Sequence, residues 1–192
     1  MSISQGRPKL DGGKMSFSGR LWNGGWVEHT VFQELSRILN RPICKKYSSA
    51  PHEFDGWIPN THITFEVKCD FQKLKSQNVY FELSVNGVPS EIRATKATRW
   101  IQVVPEEVTE EILTATTYVL FTNKLREAVD KWERQGVGWI HHDTVEGKQL
   151  LMIPYEKLKE LMVEAGVIER SFPINIQRKM SGFDRFDLTS AT

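Results

Sequence analysis

The sequence predicts a single α/β domain with a central mixed β-sheet flanked by helices. Two observations carry that expectation. Apolar residues recur at helical spacing near the N-terminus, switch to strand-like alternation between residues 53 and 104, and return to helical spacing after residue 123. The order of helix, three or four strands, then helix and strand suits an α/β or α+β domain. At 192 residues the chain is long enough for one domain with its own core.

The elements follow in order. Residues 1–21 are rich in Gly, Ser and Lys and read as an N-terminal arm, residues 22–168 as the domain, and residues 169–192 as a C-terminal tail of mixed charge. Asn23-Gly24-Gly25 punctuates the chain. Trp26 to Leu39 then carries Val27, Val31, Leu35 and Ile38 on one helical face, with Phe32 and Leu39 widening the stripe. Asn40-Arg41-Pro42 stops it. Glu53–Ile58 and Thr61–Asp70 read as two strands joined by a Pro59-Asn60 turn. Asn78–Val85 is a third strand, closed by Asn86-Gly87, and Trp100–Val104 a fourth, stopped by Pro105. Tyr118–Phe121 reads as a short strand and Asn123–Arg134 as a helix. Gln149–Ile153 reads as a last strand, and Pro154 opens a helix that ends before Gly166. His141-His142-Asp143 reads as a polar loop, since adjacent histidines on an extended segment point opposite ways and chelate poorly.

Composition excludes several classes. With 40% hydrophobic residues and a net charge of +1, the chain is no disordered polar tail. Its longest apolar runs, such as Thr117–Phe121, are too short for a membrane span, and residues 1–20 lack the apolar segment of a signal peptide. Two cysteines, Cys44 and Cys69, make neither a disulfide framework nor a four-thiolate zinc site. An intracellular, cytoplasmic protein with no membrane partner is expected. The balance of 25 Lys+Arg against 24 Asp+Glu also bears on partners. A protein that gains its affinity by wrapping phosphate backbone is usually strongly basic. Nucleic-acid binding here would need locally concentrated charge or metal ions.

Chemistry concentrates in Thr61–Asp70. Alternation puts Ile63, Phe65, Val67 and Cys69 on one face, and Thr64, Glu66 and Lys68 on the other. A carboxylate and an ammonium therefore sit side by side, and hairpin pairing returns Asp55 towards Glu66. Hard divalent cations take carboxylate oxygens, water and substrate phosphate. A bound cation polarises a phosphoryl oxygen and acidifies its water. A neighbouring lysine can hold or deprotonate the attacking water and counter the charge of the transition state. These residue types fit phosphodiester hydrolysis. Wound at about 100° per residue, the first helix brings Glu28 within roughly 30–35° of the centre of its apolar stripe. An unpaired carboxylate there is costly, so Lys68 or a metal is its expected partner, and a place in the helix's first turn would suit it.

Glu28, Asp55 and Glu66-Val67-Lys68, in that order and with that strand parity, resemble the PD-(D/E)xK nuclease superfamily, over about a third of the chain. Glu82, Gly87, the Thr95-Lys96-Ala97 turn and Trp100 look like its bacterial and phage branches, of which Holliday-junction resolvases are one. Phe54 stands where the motif has proline. The resemblance implies a restriction-endonuclease-like fold and a Mg²⁺- or Mn²⁺-dependent hydrolase acting on DNA. It implies Asp55 and Glu66 as metal ligands, the Val67 carbonyl as a further ligand, Glu28 completing the metal shell, and Lys68 at the attacking water. Glu82 would stand one shell behind. A junction-resolving activity would imply a homodimer with two sites. Lys73 and Lys75 after the E-x-K strand, and Arg93, Lys96 and Arg99 after the next, would track phosphates. Three other readings stay open: a non-catalytic nucleic-acid-binding module of the same fold, an RNA-processing nuclease, and a structural or assembly protein in which Glu66 and Lys68 merely pair.

Overall fold

The periodic stripe of the first helix finds its partner across a sheet. The computed structural model describes residues 24–46, 53–71, 73–109 and 112–177, and the arm over residues 1–21 lies outside them. Helix α1 (Gly24–Leu39) buries Val27, Val31, Phe32 and Leu35. It ends at Asn40, which takes a left-handed φ of 50° that asparagine tolerates better than most residues. Strand β1 (Cys44–Lys45) follows, then the hairpin β2 (Gly56–Trp57) and β3 (Thr64–Cys69), paired antiparallel with Gly56 opposite Phe65. The turn holds as its residues predict: Asn60 has a φ of 59°, and the Thr61 hydroxyl donates to the Ile58 carbonyl at 2.8 Å.

A one-turn helix α2 (Lys73–Ser76) leads to β4 (Asn78–Val85), with the bounds that alternation predicts. Asn86 and Gly87, at φ of 50° and 79°, close the tight hairpin to β5 (Val88–Pro89). A 3₁₀ turn over Glu91–Arg93 precedes β6 (Arg99–Val108) and β7 (Ile112–Phe121). Helix α3 (Thr122–Arg134), strands β8 (Trp139–Asp143) and β9 (Lys148–Pro154), helix α4 (Tyr155–Glu164) and strand β10 (Ile168–Gln177) complete the described chain.

The strands form two sheets rather than one. A six-stranded sheet runs β1-β2-β3-β6-β7-β10 and a four-stranded one runs β5-β4-β9-β8. The first is mixed because β3 and β6 are parallel, with Glu66 opposite Trp100 and Lys68 opposite Gln102. Parity then divides the interior. Phe65, Val67, Ile101 and Val119 pack under α1. On the opposite face Trp100, Val104 and Leu120 meet Phe81 and Leu151 of the second sheet, together with the apolar faces of α3 and α4. The result is one α/β domain with mixed and antiparallel sheets flanked by helices.

Five expectations need correction. The strand expected over Glu53–Ile58 shrinks to the two residues of β2, because only Gly56 and Trp57 enter the ladder with β3. β6 does not stop at Pro105: the strand continues past it through a register shift, and β3 has already ended opposite Val103. A proline there sits at a bulge and costs no pairing with β3. β7 starts at Ile112, well before Tyr118. The segment His141-His142-Asp143 is the end of β8, an edge strand only half covered, so its pattern is weak. The presumed tail begins as β10, which pairs with β7 along its whole length and buries Ile174 and Ile176. Residues 178–192 lie outside the described part.

Candidate functional site

Asp55 sits where the hairpin runs out of strand. Its N–H donates to the Phe65 carbonyl and its own carbonyl accepts from the Lys46 N–H, each at 2.7 Å. β2 is only two residues long, so Val67 has no backbone partner on that side. The Asp55 carboxylate takes that place, accepting the Val67 N–H at 2.7 Å through Oδ2. N–H and C=O of one strand residue point to the same edge, so the Val67 carbonyl is aimed at this opening too. Gly56 lets the pieces close up. A Cβ there would lie 2.8 Å from the Phe32 ring and 2.9 Å from the Cys44 carbonyl.

Burial first, and then the charge of Glu66, push the Asp55 carboxyl up from 3.8 to about 6. Glu28 adds to the rise, while the Val67 N–H and Lys68 oppose it. These couplings place the four residues named from the motif in one electrostatic neighbourhood. Among the described residues no cation lies within ion-pair distance of Asp55.

Glu66 is buried on the face opposite the α1 core. Its Oε1 meets the Lys68 ammonium at 3.0 Å, and its Oε2 accepts from the Thr95 hydroxyl at 3.4 Å. Lys68 also reaches Glu91 at 3.2 Å. Burial opposes the ammonium's charge, but the Glu91 and Glu66 carboxylates outweigh it and push the lysine pKa up. Lys68 is therefore a fixed positive charge at neutral pH and no proton acceptor in this state. Glu28 departs from expectation in two ways. Its partner is Lys45 of β1, at 2.7 Å, rather than Lys68, and the helix starts at Gly24, so Glu28 lies beyond the first turn.

Glu82 is buried on β4, accepts from the Ser90 hydroxyl, and meets the Lys148 ammonium at 3.3 Å. It reaches the cluster only through Glu91, whose carboxyl it helps to raise. Tyr80, from the same face, has its hydroxyl pKa raised by burial and by the charges of Asp70 and Glu91. Two participants were not singled out from sequence. Glu91 carries no flanking signature, yet it holds a non-glycine φ of 39° and its carboxyl is raised first by burial. Thr95 appeared only as part of a threonine-rich turn; it is buried and bridges Glu66 to the Glu53 carbonyl.

The cations nominated for phosphate contact separate into different environments. Lys73 is buried, donating to the Pro105 carbonyl at 3.3 Å with its ammonium 4.7 Å from the Tyr155 ring centre. Arg93 is tied to Asp130 and Glu133 of α3, and Arg99 to Glu169. Lys75 and Lys96 are exposed. Comparison with protein-family models, with curated proteins and with solved structures finds no match to this chain. Among the described residues no helix is long and apolar enough to cross a membrane.

Among the described residues, no set of three or more His, Cys, Asp or Glu side chains converges as a metal cage. Mg²⁺ does not need one. It is usually held by one or two carboxylates, with water and substrate phosphate completing its octahedron. Asp55 and Glu66 supply two hard oxygen donors of that kind, and the Glu66 charge adds to burial in raising the Asp55 carboxyl.

Proposed function

We propose that this chain is a divalent-metal-dependent endonuclease that hydrolyses DNA phosphodiester bonds, with α1, the β2–β3 hairpin and β6 as a restriction-endonuclease-like core. The observation that carries the reading is the placement of the half-buried Asp55 carboxylate on the Val67 N–H, between Glu66 and Lys68 in the strand, with the Lys68 ammonium held by Glu66 at 3.0 Å. A metal-free carboxylate cluster of this kind is poised to exchange a proton for a cation. Asp55 and Glu66 would hold Mg²⁺ or Mn²⁺, with the Val67 carbonyl as a third oxygen. When bound, the ion supplies polarisation of the phosphoryl oxygen and acidification of its water.

The chain's own residues do the rest. Lys68, held as an ammonium between Glu66 and Glu91, aligns the attacking water and faces the charge that builds on the phosphorane. Glu66 and Glu91 fix the position of that ammonium. Glu28, paired with Lys45, lies close enough for its carboxylate charge to reach Asp55.

The test is a nicking assay on supercoiled, linear, flap and four-way-junction DNA with Mg²⁺, run beside RNA. Wild-type protein should cut DNA. Asp55→Ala and Lys68→Ala should remove cutting without lowering the melting temperature by more than a few degrees, and Glu66→Ala should lose the calorimetric heat of Mg²⁺ binding. A wild type that cuts none of the DNAs, or an Asp55→Ala variant that cuts normally, ends the proposal.

A further inference from the structure

Beside the carboxylate cluster lies a second concavity with the opposite charge. It is a cleft of about 490 Å³ between the start of β6 and the start of α3. Its lining includes Thr95, Lys96, Arg99, Phe121, Lys124 and Arg126. Every ionisable side chain in that lining is cationic, on a chain whose total charge is only +1. The positive charge that the whole-chain composition does not provide is gathered here.

The four cations are not equivalent. Arg126 donates to the Ile92 carbonyl at 3.0 Å and to the Thr95 carbonyl at 2.9 Å, so it builds the wall. Arg99 is paired with Glu169 and lies over the Phe121 ring, with its guanidinium carbon 4.5 Å from the ring centre. Lys96 and Lys124 are exposed, and among the described residues neither has a carboxylate partner. Lys124 donates to the Gly166 carbonyl at 3.3 Å and lies over the Phe121 ring, 5.0 Å from its centre. Asn123 and Lys124 of α3's first turn also line the cleft, and no side chain caps that helix end, which leaves its positive dipole towards the same space.

The cleft and the cluster share a wall. Thr95 lines the cleft, and its hydroxyl bonds the Glu66 carboxylate. The Lys96 N–H bonds the Glu53 carbonyl at 3.1 Å, two residues from Asp55. A strand whose scissile phosphate sits at Asp55 and Glu66 therefore has a cationic track immediately beside it. We infer that this cleft binds the phosphodiester backbone of the DNA flanking the cut, with Lys96 and Lys124 as its phosphate contacts. The inference rests on the proposed DNA reading but concerns binding, so the two can fail separately.

The experiment is fluorescence anisotropy of a labelled DNA duplex in EDTA, where cutting is not measured, over a series of salt concentrations. Wild type, the double variant Lys96→Ala/Lys124→Ala, and a control Lys157→Ala in the first turn of α4, outside the cleft's lining, are compared. Each lost phosphate contact should lower the slope of log K against log salt by about 1. The double variant should therefore show a slope smaller by about 2 and weaker binding at low salt, with the control unchanged. A double variant indistinguishable from wild type overturns the cleft while leaving the nuclease reading intact if Mg²⁺-dependent cutting persists. An equal loss in the control, no binding by wild type, or a preference for RNA over the duplex overturns it as well. Slope loss in the double variant without any cutting by wild type keeps the cleft and removes the nuclease.

Discussion

Lys68 stands between Glu66 and Glu91, and that arrangement decides what it can do. Two carboxylates at 3.0 and 3.2 Å hold the ammonium protonated, so its contribution is position and charge. Glu91 is a positioning residue, and its charge should matter more than its bulk. Glu91→Gln is expected to lower the cutting rate about 10–100-fold, the usual cost of removing an orienting partner, with little change in melting temperature. Glu91→Asp should recover part of the loss, and equal rates in wild type and Glu91→Gln would remove the residue from the site. Asp55 makes the second prediction. Its native carboxyl titrates at about 6 against an ordinary 3.8, so the folded state binds this proton more tightly than the unfolded chain does. Its stabilising contribution is complete below about pH 3.8 and is lost as pH rises through 6. For a half-buried group the loss is about 1–2 kcal/mol after solvent screening. Asp55→Asn keeps an oxygen for the Val67 N–H and cannot ionise. In EDTA at pH 8 it should be more stable than wild type to urea by about that amount, with the gap smaller at pH 5 and closed only below about pH 3.8; a less stable variant at pH 8 contradicts the electrostatic picture. Asp55, Glu66 and Lys68 were legible because strand parity and hairpin geometry are local rules. Glu91 was not, because only the packing of β4 and its 3₁₀ turn against β3 brings it to Lys68.

Elements were legible where one face is buried and the other wet. α1, α3 and α4 have that contrast, β4 has apolar–polar alternation although its polar face is buried as well, and the ends of all four came out within a residue or two. β10 carries the same signal in Phe172, Ile174 and Ile176, but over a short run broken by Pro173 and set in a segment of mixed charge, which reads as a tail. On a sheet edge a proline is tolerated, since one side of the strand has no partner. The division into two sheets was hidden because β4 pairs with β9, a partner more than sixty residues away that alternation cannot name. The junction of α1 with the hairpin has a more specific requirement. At Gly56 an added methyl group would meet the Phe32 ring at 2.8 Å and the fixed Cys44 carbonyl at 2.9 Å. Gly56→Ala should therefore cost about 1–3 kcal/mol in urea unfolding and push α1, with Glu28, away from Asp55. Phe32→Leu in the same background should return part of that stability, because the ring can be shortened while the carbonyl cannot move. Additive losses in the double-mutant cycle would show that the two residues do not press on one another.

At the scale of the molecule, the site stands where two packed layers meet. Asp55 is fixed at the edge of the six-stranded sheet and Glu28 on α1, whereas Glu66, Lys68, Glu91 and Thr95 lie on the side of the second sheet. A ligand that draws Asp55 and Glu66 together should therefore stabilise the whole fold. By mass action, a cation at one hundred times its dissociation constant adds about 2.7 kcal/mol if the unfolded chain does not bind it. Binding must displace the Asp55 proton, so pH sets the size of the effect. At pH 8 the carboxyl is ionised and the cation enters without competition. At pH 5, below its value of about 6, most of the protein carries the proton and pays to lose it. Mg²⁺ should accordingly raise the melting temperature by several degrees at pH 8, and by clearly less at pH 5 at the same concentration. EDTA should reverse both shifts, and Asp55→Asn should show little response at either pH. Equal shifts at the two pH values, or a full response in Asp55→Asn, would place the cation elsewhere on the surface and detach it from the carboxylate cluster.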